Sequence, residues 1–290
     1  WDRNPERKEQ GLIRPFASLV GCLTSKQGFR DKFFRSMWVR EFGANVPPPL
    51  EGSTWLVFSW EGWQNNLATW PSRPQTSLAM DFFMPKLKLQ RRLGYFKAAA
   101  RVTLGTLAFA HDEAGLVHRA IGPASWLLST NDERSSDGLR VKLIDWGFSQ
   151  GLADIDSVTL RRALRAGANS PGAINAWSTC EDVYALGLVL VELYFTAMAQ
   201  VDTQQSRASD VTAVGQFQRL WEDIFDGEIG KLRAYCLEED AWKDAVDILD
   251  ENDAIGWEFF QALLGAKRGV SYSMSAVSAR SLMSNAFIDK

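Results

Sequence analysis

Histidine and cysteine are scarce in this chain of 290 residues, which holds two of the first and three of the second. Cys22, Cys180 and Cys236 stand far apart and form no C-x-x-C pair. A structural zinc site needs four close-set ligands of these kinds, so the pattern argues against one, and a reducing compartment is the default expectation. No charge of one sign prevails. The 32 basic and 35 acidic residues leave a net −3, too little for a general field directed at nucleic acid or an anionic membrane. Long apolar runs are missing too. A bilayer span takes ~20 apolar residues, whereas the most apolar stretch, 184–199, is shorter and carries Glu192. It reads as a buried helix, and no transmembrane segment is expected. There are no internal repeats and no low-complexity tracts. The first residue is Trp1 rather than methionine, so the lack of a recognisable leader carries no weight.

What is present is ordinary globular composition, 46% hydrophobic and 23% charged, with 12 tryptophans. Such a chain is long enough for one large domain or two lobes. Residues 26–42 carry Phe29, Phe33, Phe34, Met37, Trp38 and Phe42 at helical spacing, and Pro47, Pro48 and Pro49 end any helix there. Residues 54–60 (TWLVFSW) are β-branched and aromatic and predict a strand. The proline-bearing stretch 70–85 reads as an irregular connection. Residues 87–113 predict a long helix, broken at Gly115. Short strands are expected at 125–129 and 140–144, with a polar turn between them. Residues 145–176 lack periodicity and read as a long loop with Arg161, Arg162 and Arg165. Helix is expected over 181–199 and from 216 onward, with breaks at 226–230 and 265–270. The order is a small mixed part followed by a larger, mostly helical one.

Three segments fall in a fixed order: 116–128 (LVHRAIGPASWLL), 141–147 (VKLIDWG) and 182–187 (DVYALG), the last opening the apolar helix. Together they resemble the signature set of protein kinases. The first is similar to the catalytic loop His-Arg-Asp-x-x-x-x-Asn. The second is similar to the Asp-Phe-Gly metal motif, with Trp146 in place of Phe. The third is similar to the start of the central helix of the large lobe, whose Asp braces the catalytic loop. The resemblance implies an α+β, kinase-like bilobal fold, with a reduced small lobe and hinge over 1–62 and a mostly helical large lobe over 63–290.

The departures from that pattern carry the functional reading. The catalytic Asp falls on Ala120, the Lys two positions later on Gly122, and the metal-binding Asn on Ser125. Phosphoryl transfer is mostly positioning and charge neutralisation around metal-bound phosphates. Alanine has no acceptor and glycine no side chain. His118 and Arg119 keep the loop-shaping positions, and Asp182 is expected to be buried and bonded to them. Asp145 remains, either as a ligand for one Mg²⁺ or as a buried carboxylate held by backbone amides. No G-x-G-x-x-G-x-V loop and no V-A-I-K segment precede residue 26, so phosphates lack their backbone donors and their lysine. By the same resemblance Phe58 takes the gatekeeper place, and an adenine would lie between the hinge around Phe58 and Trp60 and the side chains of Leu127 and Ile144. No cofactor is expected to be required; ATP with Mg²⁺ is what those positions would take. No Ala-Pro-Glu motif precedes Asp182.

A narrower resemblance lies in Ala241-Trp242, in 250–260 (DENDAIGWEFF), in Leu263, Leu264, Lys267 and Phe287, and in the hinge 55–62. These are similar to the thylakoid kinases of chloroplast state transitions, which act on light-harvesting proteins. The resemblance implies a chloroplast, thylakoid-associated protein whose partners are other protein subunits, including photosynthetic or light-harvesting ones, and not nucleic acid. The expectation is therefore a pseudokinase acting as a scaffold or complex subunit, with Trp55, Trp60, Trp63 and Trp70 as exposed partner anchors. Two alternatives stand beside it: a weakly active kinase with Asp145 as sole metal ligand, and a nucleotide-sensing switch.

Overall fold

The most apolar part of the chain forms its central helix. In the computed structural model, residues 19–24, 36, 38–40, 44, 52, 54–58, 63–70, 85–199, 214–268 and 277–289 are described. The chain divides into two compact units, Phe16–Gly62 and one that contains Trp63–Lys290. In the first, β1 (Leu19–Thr24) pairs antiparallel with β2 (Thr54–Phe58), with Cys22 opposite Leu56. The described part of the strand predicted at 54–60 is Thr54–Phe58, and residues 59 and 60 lie outside the described residues. The helix expected over 26–42 lies outside the described residues apart from a few positions, and residues 71–84 of the expected connection also lie outside them.

The larger unit follows the predicted order with altered boundaries. After β3 (Asn65–Asn66) come α1 (Pro85–Ala108), a π-helical turn at Phe109–Glu113, and β4 (Leu116–Val117). A 3-10 turn at Pro123–Ser125 leads into β5 (Trp126–Leu128), and β6 (Val141–Leu143) and β7 (Gln150–Gly151) follow. β5 is the middle strand of a β3-β5-β6 sheet, and β4 pairs antiparallel with β7. Both pairings fold the chain back so that 118–125 and 144–149 emerge from paired strands. Next are α2 (Ser157–Arg165) and α3 (Pro171–Met198). The C-terminal third is helical: α4 (Val214–Arg219), a π turn at Leu220–Ile224, α5 (Ile229–Leu237), α6 (Lys243–Gly265), and the short α7 (Ala279–Leu282) and α8 (Ala286–Asp289). α6 is interrupted at Glu251–Ala254, where Asn252, Asp253 and Ala254 adopt left-handed conformations.

The loop expected over 145–176 is a correction. It contains α2, and α3 starts at Pro171, well before the predicted 181. Ser170 caps α3 by accepting from the Ala173 amide, and Pro171 occupies the first turn, where its missing N–H costs nothing. These turns escape a hydrophobicity reading because they bury few large side chains: α2 buries Thr159 and Ala163, and Trp177 joins Ala163 and Ala168 in a separate minor core. From Trp177 onward α3 is buried on nearly all sides, as an all-round apolar helix must be. Its neighbour α6 comes so close at Gly187 that a Cβ there would stand 3.0 Å from the Leu263 Cβ. The main core joins α1, α3 and α6, with Tyr194 packed edge-on against Phe96 and Phe260.

The tryptophans of the larger unit correct a second expectation. Trp70 is 1% exposed and stacks on Tyr95 at 4.6 Å between ring centroids. Trp63 is 9% exposed and lies beneath Arg140 and Lys142, each 5.5 Å from its ring centroid. Both rings are already covered by this chain, so neither is an exposed anchor. Among the described residues, no helix is long and apolar enough to cross a membrane.

Candidate functional site

Asp182 organises the region that the sequence singles out. It sits in α3 at 1% exposure. Its Oδ2 accepts from the His118 amide at 2.6 Å, and its Oδ1 from the Arg119 amide at 2.8 Å. A third donor is His111, buried in the π turn after α1, whose Nε2–H reaches Oδ2 at 3.0 Å. A buried carboxylate is tolerable only when its lone pairs are used in this way. The consequence is local. Arg119 is held at φ 68, a left-handed backbone that costs a non-glycine residue ~1–3 kcal/mol unless its surroundings enforce it. The two amide bonds to one carboxylate enforce it.

The rest of the loop is closed on itself. His118 is fully buried; its Nε2–H donates to the Ile144 carbonyl at 2.8 Å, so its Nδ1 accepts from the Ala120 amide at 3.3 Å. That contact ties the His-Arg segment to the strand end carrying Asp145. The Ile144 amide in turn donates to the Ser125 carbonyl at 2.9 Å. The buried Ser125 hydroxyl donates to the Ala120 carbonyl at 3.4 Å. Gly122 has φ −141, and a Cβ there would meet nothing within 4 Å, so neither backbone nor packing demands glycine.

Asp145 lies at φ 67 with an exposed side chain. Its carboxylate has no hydrogen-bond partner among the described residues, so the alternative of a buried carboxylate held by amides is not what the structure has. Trp146 turns inward, donating from Nε1 to the Leu143 carbonyl at 2.9 Å and standing edge-on to His118 at 4.8 Å. Leu127 is half-buried on β5, opposite Lys142 and Asn66. Trp55 and Phe58 belong to β2 in the smaller unit, and Trp60 lies outside the described residues. The structure therefore brings His118, Arg119, Ala120, Ser125, Ile144 and Asp182 into one bonded cluster.

A magnesium nucleotide poised for transfer does not fit the donor set of this loop. Asp145 is the one carboxylate in 116–128 and 141–147, Ala120 and Gly122 supply none, and the Ser125 hydroxyl is spent on its own loop. Among the described residues no group of three His, Cys, Asp or Glu could hold a metal ion.

Two participants escaped the sequence reading. His111 belongs to the brace although it precedes the His-Arg loop, in the segment 107–112 (LAFAHD) at the end of the long helix, whose spacing does not show what the histidine bonds. Asp156 was findable. It caps α2, accepting from the Val158 and Thr159 amides at 2.8 and 2.7 Å, and it also pairs with Arg119 Nη1 at 3.0 Å. An Asp directly before a helical stretch is a recognised start signal. The Thr159 amide foremost holds the Asp156 carboxyl below the usual carboxylate range, with help from the Thr159 hydroxyl, the Val158 amide and the Arg119 guanidinium. Gln150 accepts a second contact from Arg119 at 3.0 Å. Arg119 thus links the loop after β4 to β7 and to the cap of α2.

No protein-family profile matches the chain, and no curated protein matches it. Among solved structures it is similar to a crystal structure of Rad53 kinase domain and SCD2, with 15% identity and a TM-score of 0.41 over 93% of this chain and 82% of that one.

Proposed function

We propose that this chain is a catalytically degenerate, protein-kinase-like protein that works by binding other proteins, as a scaffold or complex subunit. The observation that carries this reading is the contrast inside one loop. The buried brace from Asp182 to His118 and Arg119 is complete, while the positions that would accept a proton, steady a phosphate and hold a metal are Ala120, Gly122 and Ser125. A loop retained for shape but emptied of donors and acceptors suits a protein selected for its surface. The likeness of 250–260 and of 55–62 to thylakoid state-transition kinases extends the proposal to a photosynthetic or light-harvesting assembly at the thylakoid.

The direct test is transfer of radiolabelled γ-phosphate from ATP with Mg²⁺ to the protein itself and to generic substrates, beside an Asp145→Ala control. No incorporation is expected from either protein. Incorporation that disappears in Asp145→Ala overturns the reading in favour of an active kinase. A thermal titration adds a second readout: ligand at a hundred times its Kd would stabilise the fold by ~2.7 kcal/mol, and no such rise is expected with ATP and Mg²⁺.

A further inference from the structure

Exposed large apolar side chains are not spread evenly over this protein. Three of those found among the described residues, Phe148 (73% exposed), Val158 (54%) and Leu164 (46%), fall in the stretch between β6 and α3, and two of them are on α2. This nine-residue helix contains three arginines and no acidic residue. Its inner side is pinned in three ways. Thr159 and Ala163 are buried, the latter in the minor core with Ala168 and Trp177. Asp156 caps the first turn and ties it to Arg119. Arg162 pairs with Glu181 at 3.0 Å and lies over the Trp177 ring at 5.6 Å.

The outer side is what remains. At about 3.6 residues per turn, Arg161 and Arg165 fall one above the other, opposite Thr159 and Ala163, with Val158 and Leu164 flanking them. Arg162 is neutralised by Glu181. The Arg161 guanidinium bonds only its own helix, at the Ser157 carbonyl, and Arg165 has no carboxylate partner among the described residues. Asp156, the nearest acid in sequence, is committed to the cap. A rigidly held helix face with two uncompensated guanidinium groups between two bare aliphatic side chains is complementary to one kind of surface, carboxylates interleaved with apolar side chains.

We propose that the outer face of α2 docks an acidic, leucine-bearing peptide segment of a partner protein. Carboxylates would pair with Arg161 and Arg165, and apolar side chains would cover Val158 and Leu164. The proposal rests on the binding-protein reading and names the chemistry of the partner.

The test is fluorescence anisotropy with the full chain and a short fluorescein-labelled peptide of Glu and Leu, beside peptides of Lys and Leu and of Glu and Ser. The Glu–Leu peptide should bind, more weakly as salt is added, while the other two bind poorly. Arg161→Glu with Arg165→Glu should weaken binding about tenfold or more, and Val158→Ser with Leu164→Ser should also weaken it. Circular dichroism checks that both double variants stay folded; all four side chains are exposed, so folding should survive. Failure of the Glu–Leu peptide to bind, or undiminished binding to the arginine variant, overturns the proposal. So does arginine-dependent binding to phosphatidylserine vesicles without peptide binding, which assigns the face to anionic lipid. Each of these failures leaves the non-catalytic reading standing, because that reading is decided by phosphate transfer.

Discussion

Asp182 and Asp145 are both carboxylates of recognisable motifs, and the structure treats them in opposite ways. Asp182 is buried, with three donors from two different elements converging on it. Asp145 is exposed and holds nothing among the described residues. Removal of Asp182 would strand the buried His118 amide, the part-buried Arg119 amide and a histidine, whereas water can replace anything that Asp145 loses. Burial enforces polar complementarity because an unmet group in a low-dielectric interior is costly. An exposed motif residue has no such protection, and only chemistry would keep it.

The sharpest way to break this comparison is to remove both carboxylates in turn. Asp182→Ala should cost about 3 kcal/mol or more, since three donors lose their acceptor at about 1–3 kcal/mol for each one left buried and unmet, as read by urea denaturation. Equal stabilities for Asp182→Ala and Asp145→Ala would contradict the assignment of Asp182 as the brace. His111→Phe should cost less, about 1–3 kcal/mol, because the His118 and Arg119 amides still reach the carboxylate. A double-mutant cycle sharpens the point. Residues of one network should show non-additive losses, so strict additivity of His111→Phe and Asp182→Ala would exclude His111 from the brace.

A smaller effect is expected at the exposed tie between Arg119 and α2. The native state holds the Asp156 carboxyl below its ordinary value, so folding favours the ionised form. The associated stability is complete above the unfolded carboxylate range, near pH ~4, and is lost as pH falls through the lower native value. Asp156→Asn keeps a capping oxygen but not the charge. The wild-type protein should therefore melt higher than this variant near neutral pH, and the two curves should converge in acid. A gap that widens as pH falls would be the wrong sign. The smallest effect belongs to Asp145→Asn, which tolerates the left-handed backbone at φ 67 as Asp does and is expected to change stability by no more than ~0.5 kcal/mol.

Much of the larger unit is legible in the residues. The existence of β5 and β6, α1 and the apolar part of α3 follow from short apolar runs and from helical spacing of large side chains. The pairing of Asp182 with His118 and Arg119 follows from the ordered motifs once a family pattern is laid over them. α2 was invisible to periodicity because the side chains it buries are Thr159 and Ala163, and the first turns of α3 bury a single large side chain, Trp177, which makes no stripe. A narrow contact needs little hydrophobicity, so no stripe appears. Trp63 and Trp70 were misplaced for the reverse reason. A large aromatic reads the same whether it anchors a partner or fills its own core, and only the neighbours Tyr95, Arg140 and Lys142 decide.

The sequence by itself determined which side-chain groups the 118–125 loop carries. Ala120 and Gly122 cannot accept a proton or steady a phosphate in any conformation, since the groups are not there. What only the tertiary structure decided is where the remaining polar groups are spent. The chain's two histidines, His111 and His118, lie on different elements, and both end at the brace: one donates to Asp182 and the other to the Ile144 carbonyl. Their roles are set by burial and by approach across the fold, which sequence spacing does not encode. A side chain's capacity to donate or accept is fixed by its atoms; whether that capacity serves structure or chemistry depends on what the folded chain places within about 3 Å of it.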